Sequence, residues 1–295
     1  MSNYNNNFDS LSSQKGFLIF DIETVPDPGL IKAKNYPESS LSPQECVEKF
    51  KSELLEKSQG KSDFIPLTYH LPISLAFIKA GAEGNLLDIG TIDRPNFAPF
   101  NIVSKFWQAW KKNQPTMVTF NGRGFDLPVL EVAAFRYGLS IPEWFAFENT
   151  PSYNQPRNRF NAQKHFDLME FFTSYGSFGY NGGLDLAATL IGKPGKMNVS
   201  GAKVESLYLA GKLLEIDDYC ICDALDTYFV FLRTRVLTGK ITIEREKEIV
   251  DLALEKIRPL TSTYSGLEEY LDHFKFWTAP TENTRGFLDD STHTP

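Results

Sequence analysis

The sequence predicts an α/β protein whose mixed sheet is covered by helices on both faces. A short apolar run at residues 17–20 is typical of a strand buried on both of its faces. Two further strands, at 73–80 and 86–93, are separated by a short glycine-containing connection and are expected to form a hairpin. A fourth strand at 116–120 lies between stretches with helical periodicity. Strands and helices mixed in this way favour a layered α/β architecture.

The remaining elements follow from caps and apolar periodicity. Residues 26–72 predict a helical insertion, because Ser42 followed by Pro43 and Glu45 is a typical helix start, and the helix reaches about Gly60. Further helical segments are predicted at 100–112, 127–137, 165–173, 183–191, 204–209 and 242–258. We expect Asp217 or Asp218 to cap one more, long helix that reaches about Thr238.

Three regions are predicted along the chain. Residues 1–15 are rich in Asn and Ser and predict a disordered leader. The α/β domain occupies residues 16–240, and residues 241–295 are expected to form a C-terminal helix and a loose tail.

Composition excludes several function classes. The 295 residues are 42% hydrophobic and carry a net charge of −7, which disfavours a protein that coats nucleic acid through bulk electrostatics. The net negative charge does not exclude a nuclease, because the acidic site of such an enzyme binds cations. Three cysteines support neither a disulfide framework nor a zinc site. No signal peptide and no apolar run of about 20 residues is found, so we expect a cytoplasmic protein without a membrane partner.

Two carboxylates follow the first strand. Asp21 and Glu23 are two residues apart, so their side chains point to the same face. Two like charges at the end of a core strand repel unless a cation lies between them, and hard divalent cations prefer carboxylate oxygens. The alternative is a strand end in water, with both acids simply solvated.

A second acidic position follows the strand at 116–120. Asp126 is expected at the strand-end edge of the sheet, where the sites of open α/β proteins gather. It also fits a plain helix N-cap, with Pro128 in the first turn. Gly122 and Gly124 allow either a tight turn or a close approach to a ligand.

A third position lies in the long helix. Tyr219 and Asp223 are four residues apart and share one face, with Asp226 as a rival nearby. The same residues also fit an aromatic core contact and a solvated charge. Asp167 is a further possible ligand or a helix cap, and its neighbour His165 is either a general base or a structural histidine.

The ordered motifs D-x-E, N-x-x-x-F-D and Y-x-x-x-D resemble the DEDD superfamily of 3′–5′ exonucleases, and the tyrosine resembles its DEDDy subgroup. The stretches HFDLMEFF, GGLDLAATLIGKPGK and YCICDALDTYFVFLR resemble a stand-alone branch related to the exonuclease domains of family B DNA polymerases. This resemblance covers residues 16–240 and implies a ribonuclease H-like fold, with a mixed five-stranded sheet flanked by helices. It leaves Asp226 outside the catalytic motif. Cys220 and Cys222 depart from the acidic or polar residues often found between the motif Tyr and Asp.

The resemblance also implies a mechanism. Asp21, Glu23, Asp126 and Asp223 would bind two divalent metal ions, Mg²⁺ or Mn²⁺, and Tyr219 would orient the attacking water. The substrate would be the 3′ end of a single-stranded DNA, and the products nucleoside 5′-monophosphates. An RNA exonuclease of the ribonuclease D type and a non-catalytic nucleic-acid-binding module are the alternatives.

Substrate contacts are expected from local positive charge and from the second motif. The candidates are Asn121, Phe125, Arg157, Arg159, Lys164, Lys193, Lys196 and Lys203. The basic residues at 157–164 and those at 193–203 form two clusters, and each cluster also fits a solvated surface loop. Phe125 also fits the core. Because no polymerase region follows, we expect proofreading for a partner protein, or else independent repair or turnover; the partner is left open.

Overall fold

The computed structural model describes residues 16–148, 150–195 and 201–279. The predicted leader at 1–15 and the tail beyond residue 279 lie outside the described residues. Within the described ranges, no helix combines the length and the apolar character needed to cross a membrane.

The described residues form five strands and eleven α-helices. The strands are β1 (Phe17–Pro26), β2 (His70–Ala80), β3 (Leu86–Thr91), β4 (Thr116–Thr119) and β5 (His165–Asp167). The helices are α1 (Pro28–Asn35), α2 (Pro43–Lys57), α3 (Pro99–Asn113), α4 (Asp126–Arg136), α5 (Pro142–Phe145), α6 (Leu168–Phe172), α7 (Gly183–Thr189), α8 (Gly201–Leu209), α9 (Leu213–Leu237), α10 (Ile243–Ile257) and α11 (Gly266–His273).

The strands form one mixed sheet in the order β3-β2-β1-β4-β5. β2 runs antiparallel to both of its neighbours, β1 and β3, whereas β4 and β5 run parallel to β1. The predicted hairpin is therefore confirmed, as is the mixed five-stranded sheet of a ribonuclease H-like fold. The carboxyl ends of β1, β4 and β5 consequently lie at one edge of the sheet.

Alternation along β1 divides the core into two layers. Leu18, Phe20 and Ile22 belong to the layer beneath α3 and α4. Ile19 points the opposite way and belongs to the layer beneath α9 and α10. Because side chains alternate in a strand, Asp21 and Glu23 continue on the Ile19 side, which α9 covers.

The predicted insertion contains α1 and α2. Ser42 and Glu45 form a reciprocal capping box at the start of α2, with N–H to oxygen distances of 3.3 and 2.7 Å. The first and last residues of the predicted insertion belong to the sheet instead, because β1 extends to Pro26 and β2 begins at His70.

The C-terminal helices belong to the same core as the sheet. Ile249, Leu254 and Leu267 are buried with α9 and α7 in one apolar cluster. The predicted boundary at residue 240 therefore separates elements that pack together, and α11 had not been predicted.

Two sequence-based assignments were wrong. Residues 165–173 begin as strand β5 and turn helical only at Leu168. Asp217 and Asp218 do not cap α9, which begins at Leu213; both are buried inside the helix. Their carboxylates accept hydrogen bonds from one guanidinium, that of Arg94, at 2.6 and 3.0 Å.

Candidate active site

Three carboxylates meet where β1 passes under α9. Asp21 and Glu23 project from β1, opposite Ala76 and Ser74 of β2, and a β-bulge follows Glu23. Asp223 reaches them from α9, and one ligand atom from each of the three acids lies within 4.8 Å of the others. Asp21 and Glu23 are half-buried, and Asp223 is buried.

Tyr219 lies one helical turn before Asp223. The two side chains are joined by a hydrogen bond in which the phenol donates, as their spacing predicted. Burial and then the charge of Asp223 raise the pKa of Tyr219 far above its ordinary value, and Glu23 adds to this effect. Tyr219 is therefore a neutral hydrogen-bond donor at any pH near 7.

The turn of α9 at Tyr219 is held directly against β1. The Cys220 thiol donates to the backbone carbonyl of Asp21 at 3.4 Å, whereas Cys222 faces the Gly266 carbonyl on the other side of the helix. The two cysteines that depart from the family pattern thus hold the helix in place, and both are free thiols.

The buried acids before Tyr219 were missed as site residues. Asp217 accepts from the hydroxyls of Ser74 and Thr91 at 2.6 and 2.7 Å as well as from Arg94. Because Ser74 lies opposite Glu23, this network fixes the start of α9 against β2, next to the part of β1 that carries the acids. The signal in the sequence was an adjacent acidic pair inside an apolar helix, which requires a cation nearby.

Asp126 is the first residue of α4 and is 3% exposed. Its Oδ1 accepts from the backbone N–H of Ile22, between Asp21 and Glu23, at 3.2 Å. Burial is the main reason that the pKa of Asp126 is raised to about 7, and the charge of Asp167 adds to it. Phe125, and not Asp126, occupies the N-cap position and makes no side-chain cap, so a plain capping role does not explain Asp126.

The loop between β4 and α4 is a tight turn. A Cβ at Gly122 would lie 2.3 Å from the Thr119 hydroxyl, and one at Gly124 would lie 2.6 Å from Asn121 Oδ1. These contacts within the chain favour turn chemistry over ligand approach for both glycines. Asn121 itself has φ of 61°, in the left-handed region.

Phe125 and Asn121 lie in the turn that leads to Asp126, and both have partners in the fold. Phe125 is half-buried against the α3 and α4 layer, edge-on to His70 at 6.3 Å between ring centroids. The backbone N–H of Asn121 donates to Asp167 Oδ1 at 3.0 Å.

Asp167 and His165 have structural partners. Asp167 is the N-cap of α6, and it also accepts from the backbone N–H of Arg123 at 2.9 Å. The cap interpretation of Asp167 is therefore the one the structure supports. His165 is buried and contacts the Thr119 hydroxyl at 2.8 Å, and burial holds its pKa well below the ordinary value.

Asp226 has a hydrogen-bond partner of its own, outside the acidic cluster. Its Oδ1 accepts from the Tyr270 hydroxyl at 2.7 Å, and the carboxyl is 1% exposed. It does not belong to the group formed by Asp21, Glu23 and Asp223. This agrees with the family resemblance, which leaves Asp226 outside the catalytic motif.

The arginines expected to contact substrate are engaged with acids. Arg157 forms three hydrogen bonds of 2.9 to 3.1 Å with Glu131, and Arg159 Nη2 lies 2.7 Å from Glu170. Both guanidinium groups are nevertheless about half exposed.

Lys193 does not lie on an exposed loop surface. Its ammonium donates to the Lys275 carbonyl at 3.1 Å and lies 3.8 Å from the ring centroid of Phe274. Burial lowers its pKa to about 8. Lys196 lies outside the described residues.

The donor set of the acidic cluster fits divalent cations. Asp21, Glu23 and Asp223 offer only carboxylate oxygens, which magnesium and manganese prefer. Three like charges this close repel one another. Asp126 is not among the three acids whose ligand atoms meet; its carboxyl contacts β1 through the backbone N–H of Ile22.

Comparison with known proteins agrees with this arrangement. No curated protein matches the chain. A family described as predicted 3′–5′ exonucleases related to the exonuclease domain of PolB matches residues 62–274. The matched region includes Asp126, Tyr219 and Asp223, whereas Asp21 and Glu23 precede it and are brought to them by the pairing of β1. The match covers most of the chain, which therefore belongs to this family of predicted 3′–5′ exonucleases.

Proposed function

We propose that this protein is a metal-dependent 3′–5′ exonuclease that hydrolyses single-stranded DNA to nucleoside 5′-monophosphates. One observation supports it above the others: acids from β1 and α9, some 200 residues apart, meet with their ligand atoms within 4.8 Å. Three carboxylates this close repel one another and offer the oxygen ligands that a divalent cation prefers, and the family supplies the reaction class.

The proposed cofactors are two divalent ions, Mg²⁺ or Mn²⁺, held by Asp21, Glu23, Asp126 and Asp223. When bound, such ions supply Lewis-acid stabilisation of the phosphate and a more acidic water. The buried carboxyl of Asp126 suits this role, because its pKa of about 7 falls once positive charge is near.

Tyr219 is proposed to orient the attacking water. Its phenol is neutral and its one proton is donated to Asp223, so its oxygen accepts a hydrogen bond from the water and does not act as a base. The water oxygen loses a proton and forms a new bond to phosphorus, while the bond to the 3′ oxygen of the preceding nucleotide breaks and that oxygen takes up a proton. The phosphate therefore leaves with the terminal nucleotide as a 5′-monophosphate.

Asn121 and Phe125 are proposed to contact the terminal nucleotide, since they flank the loop that ends at Asp126. Arg159 and Arg157 are proposed to contact the strand further from its end, because their guanidinium groups stay half exposed. The buried position of Lys193 and its bond to the Lys275 carbonyl do not favour a phosphate contact. Lys196 stays a proposal that rests on sequence alone.

The test is digestion of a 5′-labelled single-stranded DNA and of the matching RNA with Mg²⁺ or Mn²⁺. We expect a ladder that shortens from the 3′ end of the DNA, and that is abolished by chelator and by Asp21→Ala. Digestion of RNA alone would change the substrate class. Strand binding by a folded protein without any digestion would replace the enzyme by a nucleic-acid-binding module.

A further inference from the structure

Exposed aromatic side chains gather in one part of the chain. Phe147, Tyr153, Phe160, Tyr175 and Phe178 lie within about 30 residues of one another and are 41% to 72% exposed. Single exposed apolar residues are ordinary, but a concentration of aromatic rings marks a binding surface.

Phe160 and Tyr175 form a preformed pair within this group. Their ring centroids are 5.0 Å apart, with an angle of 59° between the planes. The backbone N–H of Phe160 donates to Asn158 Oδ1 at 2.8 Å, and the Asn158 amide donates to the Ser152 carbonyl. Tyr175 has φ of 60°, a conformation that favours glycine, and its N–H donates to the Glu170 carbonyl at 2.7 Å. The backbone is therefore fixed at both positions, and the two rings contact each other while both side chains stay exposed.

Positive charge surrounds the pair in an otherwise acidic chain. Residues 149–166 contain three basic residues and no Asp or Glu. Arg159 lies 5.7 Å from the ring centroid of Phe160. Its partner Glu170 also pairs with Arg123 at 3.0 Å, so two guanidinium groups share this one carboxylate.

The pair is connected to the candidate active site. Arg123 lies three residues before Asp126, and its backbone N–H donates to Asp167 at the carboxyl end of β5. Its guanidinium also donates to the Arg157 carbonyl at 3.2 Å. The aromatic pair and the acids therefore lie at the same edge of the sheet.

We propose that Phe160, Tyr175 and Arg159 form a platform that holds the single-stranded DNA upstream of its 3′ end. Bases stack on aromatic faces without regard to sequence, and an adjacent arginine contacts the phosphates. That the bound strand is also the substrate of the acidic site rests on the proposed function. The surface itself fits single-stranded DNA through its exposed rings and its positive charge.

The test measures strand binding separately from cleavage. Fluorescence anisotropy with a labelled oligothymidylate of about 12 nucleotides is recorded in chelator, so that the strand stays intact. We expect Phe160→Leu with Tyr175→Leu to weaken binding about tenfold or more, because leucine keeps apolar contact but lacks a π face. Phe160→Trp is expected to keep wild-type affinity. Phe276→Leu is the matched control, since Phe276 is 49% exposed and lies with the C-terminal segment beside α10.

Two further readouts identify the role. On a long DNA, the double leucine variant should raise KM with little change in kcat, and on a dinucleotide it should match the wild type. Arg159→Gln should also reduce the dependence of affinity on salt. Unchanged affinity in the double leucine variant would overturn the platform, as would an equal loss in Phe276→Leu. If the wild type binds DNA through these rings but does not digest it, the platform stands and the exonuclease proposal fails.

Discussion

The Oδ1 atom of Asp126 accepts a hydrogen bond from the backbone N–H of Ile22 at 3.2 Å. Ile22 is the residue between Asp21 and Glu23, so the first turn of α4 is fixed to the part of β1 that projects the other two acids. The carboxyl of Asp126 is almost fully buried, and its pKa is about 7 mainly for that reason.

Metal-free protein should therefore lose stability as pH rises. The unfolded Asp126 ionises near pH 3.9, whereas the folded one stays protonated to about pH 7. Between these values only the folded state holds the proton, so the free energy of unfolding falls as pH rises from 4 to 7. Asp126→Asn removes this dependence, and in chelator at pH 8 we expect it to be more stable than wild type by on the order of 1–3 kcal/mol.

Urea unfolding at pH 4, 5, 6, 7 and 8 measures this effect. The advantage of Asp126→Asn should grow up to about pH 7 and then level off. Magnesium should stabilise the wild type more than the variant, because ligands that bind the folded state stabilise it by mass action. An advantage that is the same at every pH would contradict the buried-carboxyl explanation.

Removing the Tyr219 hydroxyl should lower activity while leaving the fold intact. Tyr219→Phe keeps the ring, but it removes the hydroxyl that donates to Asp223 and whose oxygen we propose orients the water. We expect kcat to fall about 100-fold. Steady-state digestion of a labelled strand measures the effect.

Tyr228→Phe is the control for Tyr219→Phe. Tyr228 lies on the same helix, and its hydroxyl donates to the Gly84 carbonyl at 2.9 Å, away from the acids. This change should cost about 1 kcal/mol of stability and leave kcat unchanged. Equal kcat values for the two variants would remove Tyr219 from the mechanism.

Much of the fold could be predicted because its signals are local. The apolar run of β1, the hairpin and the capping box at Ser42 each depend on neighbouring residues. β5 was missed because it has only three residues and leads directly into α6. Of the four acids in the ordered motifs, Asp21, Glu23 and Asp223 meet, whereas Asp126 lies outside that cluster and contacts the backbone of β1 instead.

The remaining features depend on partners far away in the chain. Asp217 and Asp218 look like helix caps until Arg94, more than 120 residues earlier, is brought beside them. Lys193 looks like an exposed loop residue until the segment at Phe274 covers it. Local sequence cannot reveal such contacts, because the tertiary fold creates them.

Loss of Arg94 should be costly because two buried acids depend on it. Its guanidinium also donates to the Thr263 carbonyl at 2.8 Å and lies over the ring of Tyr264. Arg94→Met leaves Asp217 and Asp218 without their cation, and we expect a loss of about 3–5 kcal/mol in the free energy of unfolding.

Arg245→Met is the comparison for Arg94→Met. Arg245 pairs with Glu83 and Glu248, both of which are mostly exposed, so its loss should have little effect on the free energy of unfolding. Urea unfolding at pH 7 distinguishes the two. Similar losses in the free energy of unfolding would mean that Arg94 is not needed to stabilise the buried acids Asp217 and Asp218.

We propose that the acids on β1 and α9 perform metal-dependent hydrolysis from the 3′ end. The most direct test compares Asp223→Asn with Asp226→Asn, two isosteric changes one helical turn apart, on 5′-labelled single-stranded DNA in Mg²⁺. Asp223 belongs to the acidic cluster, whereas Asp226 is hydrogen-bonded to Tyr270. We predict that Asp223→Asn abolishes the 3′-shortened ladder and that Asp226→Asn retains it. Retention of the ladder in folded Asp223→Asn would contradict the account.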